Sequence, residues 1–105
     1  LQRLGLTAPD SFPAWLIVRF RYDAAMRTIF VMIKSELGRA YDVADAAVQT
    51  VEEVSEVHSI SGQYDLLVKC YLPDDRDVGH FVTERIQRLP GVKDTFTLIA
   101  FKAFS

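Results

Sequence analysis

The stretch from Val54 to Leu72, VSEVHSISGQYDLLVKCYL, constrains this chain most, because two runs of strand-forming residues meet there at Ser61-Gly62-Gln63-Tyr64-Asp65. Before the junction, Val57, His58, Ser59 and Ile60 are short-range strand material. After it, Leu66, Val68, Cys70 and Leu72 alternate with Leu67, Lys69 and Tyr71, the period at which side chains of a strand fall on one face. Gly62 supplies the backbone freedom that a tight connection needs. The pattern is a hairpin with polar chemistry at its tip. The Tyr64 phenol and the Asp65 carboxylate stand at the mouth of a strand that is otherwise almost wholly apolar. Either the carboxylate organises the turn, or it faces something bound there.

Upstream, Thr28 to Ser35 reads as a strand with Ile29, Val31 and Ile33 on one face and Phe30, Met32 and Lys34 on the other. Both faces are largely apolar, so one is expected to meet helices and the other a second sheet or subunit. From Arg39 to about Glu52, Ala40, Ala44, Ala47, Val48 and Val51 recur at helical steps, with Asp42, Asp45, Gln49 and Glu52 opposite. Downstream, Pro73-Asp74-Asp75-Arg76-Asp77 is a turn and helix start whose acids are placed to cap the first amides. Val78, Phe81, Val82, Ile86 and Leu89 form the stripe of a second helix that Pro90-Gly91 ends. A last strand over Val92 to Phe104 sets Thr95 and Thr97 on one face and Phe96 and Leu98 on the other. Strand, helix, strand, strand, helix, strand is the order of an α+β ferredoxin-like βαββαβ sandwich, with the first and third strands central. The uncovered apolar face predicts a symmetric dimer, of the dimeric α+β barrel type.

A chain of 105 residues, half of them apolar, has room for one core. Its formal net charge of −2 and lack of a long Lys/Arg run argue against an independent nucleic-acid binder. Cys70 is the only cysteine, which excludes an intrachain disulfide and offers no metal-ligand spacing. On a strand it reads as a small buried hydrophobe, and His58 as a satisfied structural residue. The apolar runs Trp15 to Phe20 and Thr28 to Ile33 are far shorter than the roughly 20 residues of a membrane span. With no signal-peptide pattern at the start, the expectation is a soluble, cytoplasmic protein. There is no nucleophile–base pair, no phosphate loop and no metal cluster, so no catalytic residue, metal or cofactor is expected.

The run Ser61-Gly62-Gln63-Tyr64-Asp65-Leu66-Leu67-Val68-Lys69, preceded by Val54 and Val57 and followed by Leu89-Pro90-Gly91-Val92 and then Thr95 and Thr97, resembles the effector-binding RAM domain of the Lrp/AsnC (feast/famine) transcription regulators. The pieces occur in order over roughly Arg27 to Phe104. One departure is Glu36-Leu37-Gly38, where that family tends to have Pro-Gly and this chain keeps only the glycine.

The resemblance implies an amino-acid effector held between dimers at the turn Ser61 to Asp65, with Thr95 and Thr97 near the pocket. Ligand-binding residues are thus expected at Ser61, Gly62, Gln63, Tyr64, Asp65, Thr95 and Thr97. Backbone amides, hydroxyls and one carboxylate suit a zwitterion. The resemblance also implies a homo-oligomer: a dimer, or tetramers, octamers or rings of dimers. Regulators of this type carry a helix-turn-helix domain and a linker strand before the effector domain. Residues 1–25, with Pro9 and Pro13, are too short for that unit. The expectation is a ligand-binding domain over residues 26–105, preceded by an extension, linker or edge strand that includes Trp15 to Tyr22. It would make no direct DNA contact and would act by co-assembly with full-length regulators. Two other families share the element order: dimeric α+β-barrel monooxygenases, which are enzymes, and ACT-like regulatory domains.

Overall fold

Strict alternation sets the two central strands. In β1, Met26–Ser35, every second residue from Ile29 to Ser35 is buried. In β3, Leu66–Pro73, the buried set is Leu66, Val68, Cys70 and Leu72. The two pair antiparallel, with Val31 opposite Val68 and Ile33 opposite Leu66, so their buried sets share one face of the sheet. β2, Val54–Ser59, pairs antiparallel with β3, and β4, Val92–Ile99, with β1. The sheet order is β2-β3-β1-β4, with the first and third strands central as the element order predicts. The computed structural model describes residues 26–104, so the strand expected at Trp15 to Tyr22 and the rest of the extension lie outside the described residues.

Two helical segments cover the buried face. α1, Ala40–Thr50, contributes Val43 and Ala47, followed by Val51 just past its end. This differs from the stripe read in the sequence. Val43 is fully buried and Val48 is 59% exposed. Val43, Ala47 and Val51 step by one turn plus a small rotation, and Ala40 and Ala44 flank them, partly buried against the same core. Val48 falls well round the helix from that line.

The second helix begins with α2, Val78–Phe81, where Asp77 Oδ1 accepts from the His80 amide at 3.0 Å, the cap that the acidic turn predicts. It continues as a wider π-helical turn over Val82–Ile86, closed by Gln87 N donating to Val82 O at 2.8 Å. Phe81, Val82 and Ile86 enter the core. Burying such side chains supplies roughly 1.5 to 3 kcal/mol each.

Polar links tie these layers at both ends. The Glu53 side chain, only 8% exposed, meets Arg76 Nη1 at 2.9 Å and Arg85 Nη1 at 4.0 Å, joining the entry of β2 to the second helix. Arg85 Nη2 also donates to Thr50 O, satisfying a carbonyl at the end of α1. At the other end, Gly91 returns the chain to the sheet with φ +94, and Glu36 N donates to its carbonyl at 2.7 Å. A Cβ there would stand 3.0 Å from Val43 Cγ2 and 3.1 Å from Arg39 Cβ, so both backbone and space require glycine. β4 is shorter than the sequence pattern suggests. Ladder pairing ends at Ile29 opposite Ile99, Ala100 N still donates to Thr28 O, and Phe101 to Phe104 continue exposed and outside any strand.

The burial pattern of α1 makes a direct test. Val43→Ala should lower the unfolding free energy by roughly 2 kcal/mol, the transfer of two methyl groups plus the cavity left behind. Val48→Ala should change it by less than about 0.5 kcal/mol. Urea unfolding of both variants checks the assignment, and equal losses would contradict it.

Candidate functional site

The turn between β2 and β3 is built from both its ends. Gly62 adopts φ +111, a region that side-chain-bearing residues rarely enter. Ile60 N donates to Asp65 O at 2.9 Å and closes the turn, and Asp65 N donates to Ile33 O at 2.8 Å, docking it on β1. The Asp65 carboxylate then reaches past the end of the ladder. Its Oδ2 accepts from Ser35 N at 2.8 Å and from Ser35 Oγ at 3.1 Å. The carboxylate thus organises the turn, and it does so through a residue of the first strand. β1–β3 pairing stops at Ile33 opposite Leu66, and the β1–β4 register shifts between Lys34 and Ser35. The Ser35 amide therefore lies beyond the regular β3 ladder, and a carboxylate oxygen takes the place of a strand carbonyl.

The same bonds set the charge of Asp65. The Ser35 amide holds its carboxyl below the ordinary value, against partial desolvation, with the Ser35 hydroxyl and the Lys34 charge adding to the effect.

With Asp65 turned toward Ser35, the neighbouring groups face the open side of the sheet. Lys34, Gln63, Tyr64 and Asp94 line a cleft of about 310 Å³. Lys34 Nζ donates to Gln63 O at 3.2 Å. Asp94 stands opposite Lys34 in the β1–β4 ladder, and its Oδ1 accepts from Thr95 N at 2.9 Å. The Tyr64 ring lies 6.1 Å from that of Phe96, between centroids. A cation, a carboxylate and the Tyr64 ring thus converge on one small hollow, with Phe96 next to that ring. This donor set can hold a zwitterion whose side chain is apolar.

The expected site residues divide. Gln63 and Tyr64 wall the cleft, Ser61 and Gly62 form the exposed tip of the same turn, and Asp65 is engaged by Ser35. Thr95 and Thr97 lie opposite Ile33 and Val31, on the helix-covered face, where Gln87 Nε2 donates to Thr95 Oγ1 at 2.9 Å. Within one chain they do not line the cleft. Lys34 and Asp94 were not singled out from the sequence. The signal was present in their face: each is the polar residue at the turn end of a run, Phe30-Met32-Lys34 and Leu98-Phe96-Asp94, that shares the open side.

A larger hollow of about 580 Å³ lies at the other end of β1, walled partly by Phe101 to Ala103, and includes none of the turn residues. Cys70 is buried, and burial, with the Glu53 charge adding, pushes its thiol up to about 12, which leaves it protonated and inert. His58 Nε2 sits 2.9 Å from Glu56 Oε1 at the surface. Among the described residues, no group of His, Cys, Asp or Glu is placed to hold a metal ion, and no helix is long and apolar enough to cross a membrane.

The clamp predicts a pH dependence. A carboxyl held low in the folded state contributes stability that is present above its unfolded value, near 4, and lost as pH falls through the folded one. Asp65→Asn should lower the melting temperature at neutral pH and flatten the acid limb of the stability curve. Thermal melts between about pH 2 and pH 7 check this. An unchanged acid limb would assign the clamp no energetic role.

The Lrp/AsnC ligand-binding domain model matches residues 28–105. The leucine-responsive regulatory protein of Salmonella typhimurium is 36% identical over 83 residues, covering 77% of this chain and 51% of that protein. The chain therefore spans about half the length of the curated relatives it matches. TTHA0845 from Thermus thermophilus superimposes with a TM-score of 0.68 at 36% identity, over 76% of this chain and 99% of that one. The fold alone is shared with the transcriptional regulator NMB0573 of Neisseria meningitidis, solved with L-Met: TM-score 0.66 at 18% identity, over 95% of this chain and 62% of the regulator. The family model describes a ligand-binding domain and the curated relative is a regulatory protein, which sets the monooxygenase alternative aside. With the family model covering both helices and the sheet from Thr28 onward, the chain belongs to the Lrp/AsnC ligand-binding domain family.

Proposed function

We propose that this chain is an amino-acid-sensing module that binds its effector at the turn Ser61 to Asp65 and works as a homo-oligomer. The observation that carries the reading is the cleft beside that turn, where Lys34 and Asp94 put opposite charges across one ladder and Tyr64, its ring 6.1 Å from that of Phe96, adds an aromatic wall. Opposite charges beside an apolar wall suit an ammonium, a carboxylate and a modest side chain. The solved L-Met complex of a protein with this fold supports the ligand class. In this reading Ser61 and Gly62 shape the mouth of the site, Gln63 and Tyr64 wall it, and Asp65 fixes its depth. Thr95 and Thr97 contribute by setting β4, or by meeting an effector shared with another dimer.

Oligomerisation has its own physical argument. Phe30 and Met32 of β1 share the open face with Phe96 and Leu98 of β4, which are 49% and 44% exposed. An apolar sheet face left half bare is unfavourable in water and is covered by a second copy laid face to face. A dimer, or an assembly of dimers, follows. In this reading the described domain senses and does not touch DNA. Its effect on transcription would run through co-assembly with full-length regulators.

A thermal-shift screen over the twenty amino acids tests the effector reading. A ligand selective for the folded state raises the melting point by mass action, by about 2.7 kcal/mol of stability at a hundred times Kd. A flat screen at millimolar concentrations would refute it. Light scattering at micromolar protein should return at least a dimer, and a clean monomer would remove the proposed interface.

A further inference from the structure

We infer that Lys34 is a specificity-determining residue of this site, the group that reads the α-carboxylate of the effector. The inference rests on the amino-acid reading proposed above and deepens it.

Three observations support it. The first is position: Lys34 follows Phe30 and Met32 on the open face of β1, so its charge stands at the cleft end of an apolar strip. Its stem lies along protein surface while the ammonium reaches the polar rim.

The second is the state of its donors. An ammonium has three N–H groups, and Lys34 directs one at Gln63 O, at 3.2 Å. The backbone carbonyl holds Nζ at the mouth of the cleft without neutralising it.

The third is the disposition of nearby acids. Asp65 directs Oδ2 at Ser35, so it affects Lys34 as a nearby charge without a hydrogen bond between them. Asp94 stands across the ladder and accepts from Thr95 N, and the ion pairs found among the described residues do not include one between Lys34 and Asp94. A lysine and an aspartate facing each other on neighbouring strands without closing a salt bridge leave room for a molecule carrying both complementary charges. A carboxylate placed on Lys34 orients the ammonium toward Asp94 and leaves the side chain to the Tyr64 wall. Arginine at this position would keep the charge, and glutamine would keep the length without it.

The experiment uses the full chain in its native assembly and pairs each protein with two probes. The probes are the tightest-binding L-amino acid of the twenty and its methyl ester, which keeps the ammonium and side chain but removes the negative charge. Binding is measured by calorimetry for wild type, Lys34→Gln and Lys34→Arg.

Wild type should bind the acid about ten- to a hundredfold more tightly than the ester, the usual worth of a charged hydrogen bond. In Lys34→Gln that ratio should fall to within about threefold of unity, and Lys34→Arg should restore most of it. A merely structural lysine would weaken both probes equally and leave the ratio intact. Equal binding of acid and ester by wild type overturns the inference without any variant. A ratio unchanged in Lys34→Gln overturns it while the amino-acid reading stands. If none of the twenty amino acids binds wild type, both fall together.

Discussion

The bond on which this arrangement depends joins the Asp65 carboxylate to the amide and hydroxyl of Ser35. It forms where two ladders give out together: β3 begins at Leu66, opposite Ile33, and the β4 register slips between Lys34 and Ser35. A backbone amide left unpaired at a partly buried position is costly, and a carboxylate oxygen is a strong acceptor for it. Once Asp65 is drawn toward Ser35, the turn before it has little freedom. Its own amide docks on Ile33 O, its carbonyl receives Ile60 N, and Gly62 takes the positive φ needed to complete the reversal. Tyr64 and Gln63 are thereby directed to the open face, where Lys34 and Asp94 already stand.

The sheet divides the labour between its sides. One face is taken up by α1 and the second helix, with Phe81, Ile86, Val43 and the alternating residues of β1 and β3 closing the hydrophobic core. The other face carries Lys34, Gln63, Tyr64 and Asp94, together with the exposed Phe96 and Leu98 of β4. This explains why Thr95 and Thr97, adjacent to the site in sequence pattern, stand behind it in space. Odd and even residues of β4 serve different layers, and Gln87, delivered by the π-helical turn, claims Thr95 for the helix side. Farther off, the buried Glu53 with Arg76 and Arg85 fastens the opposite end of the layers. Its second oxygen has only the more distant Arg85 contact and no hydrogen bond, so this link fixes geometry more than it stabilises.

Membership of the Lrp/AsnC ligand-binding domains and the cleft geometry bear on function from different sides. The family match supplies the ligand-binding class, and the cleft supplies the opposite charges on which the proposed amino-acid reading rests. Lys34 and Asp94 are separated in sequence by both helices and two strands, yet they are direct neighbours in the β1–β4 ladder. Such a pair sets a charge of each sign on β1 and β4 at one point of the ladder. Those strands bear the half-bare face proposed to meet another copy.

Much of this was legible in the chain itself. The period-two runs of β1 and β3, the Gly62 turn, the Asp77 cap and the Pro90-Gly91 return are local signals, because each depends on backbone geometry within a few residues. They were enough for the βαββαβ order and the central placement of β1 and β3. The facing of α1 was less so: the single stripe read at Ala40, Ala44, Ala47, Val48 and Val51 passed over Val43, and only packing against the sheet chose Val43 over Val48. The partner of Asp65, the pairing of Lys34 with Asp94, the early end of β4 and the placing of the threonine pair behind the cleft were decided by tertiary structure alone. Each is a matter of register between strands distant in sequence. Register follows from how whole faces bury together, which no single stretch of residues encodes.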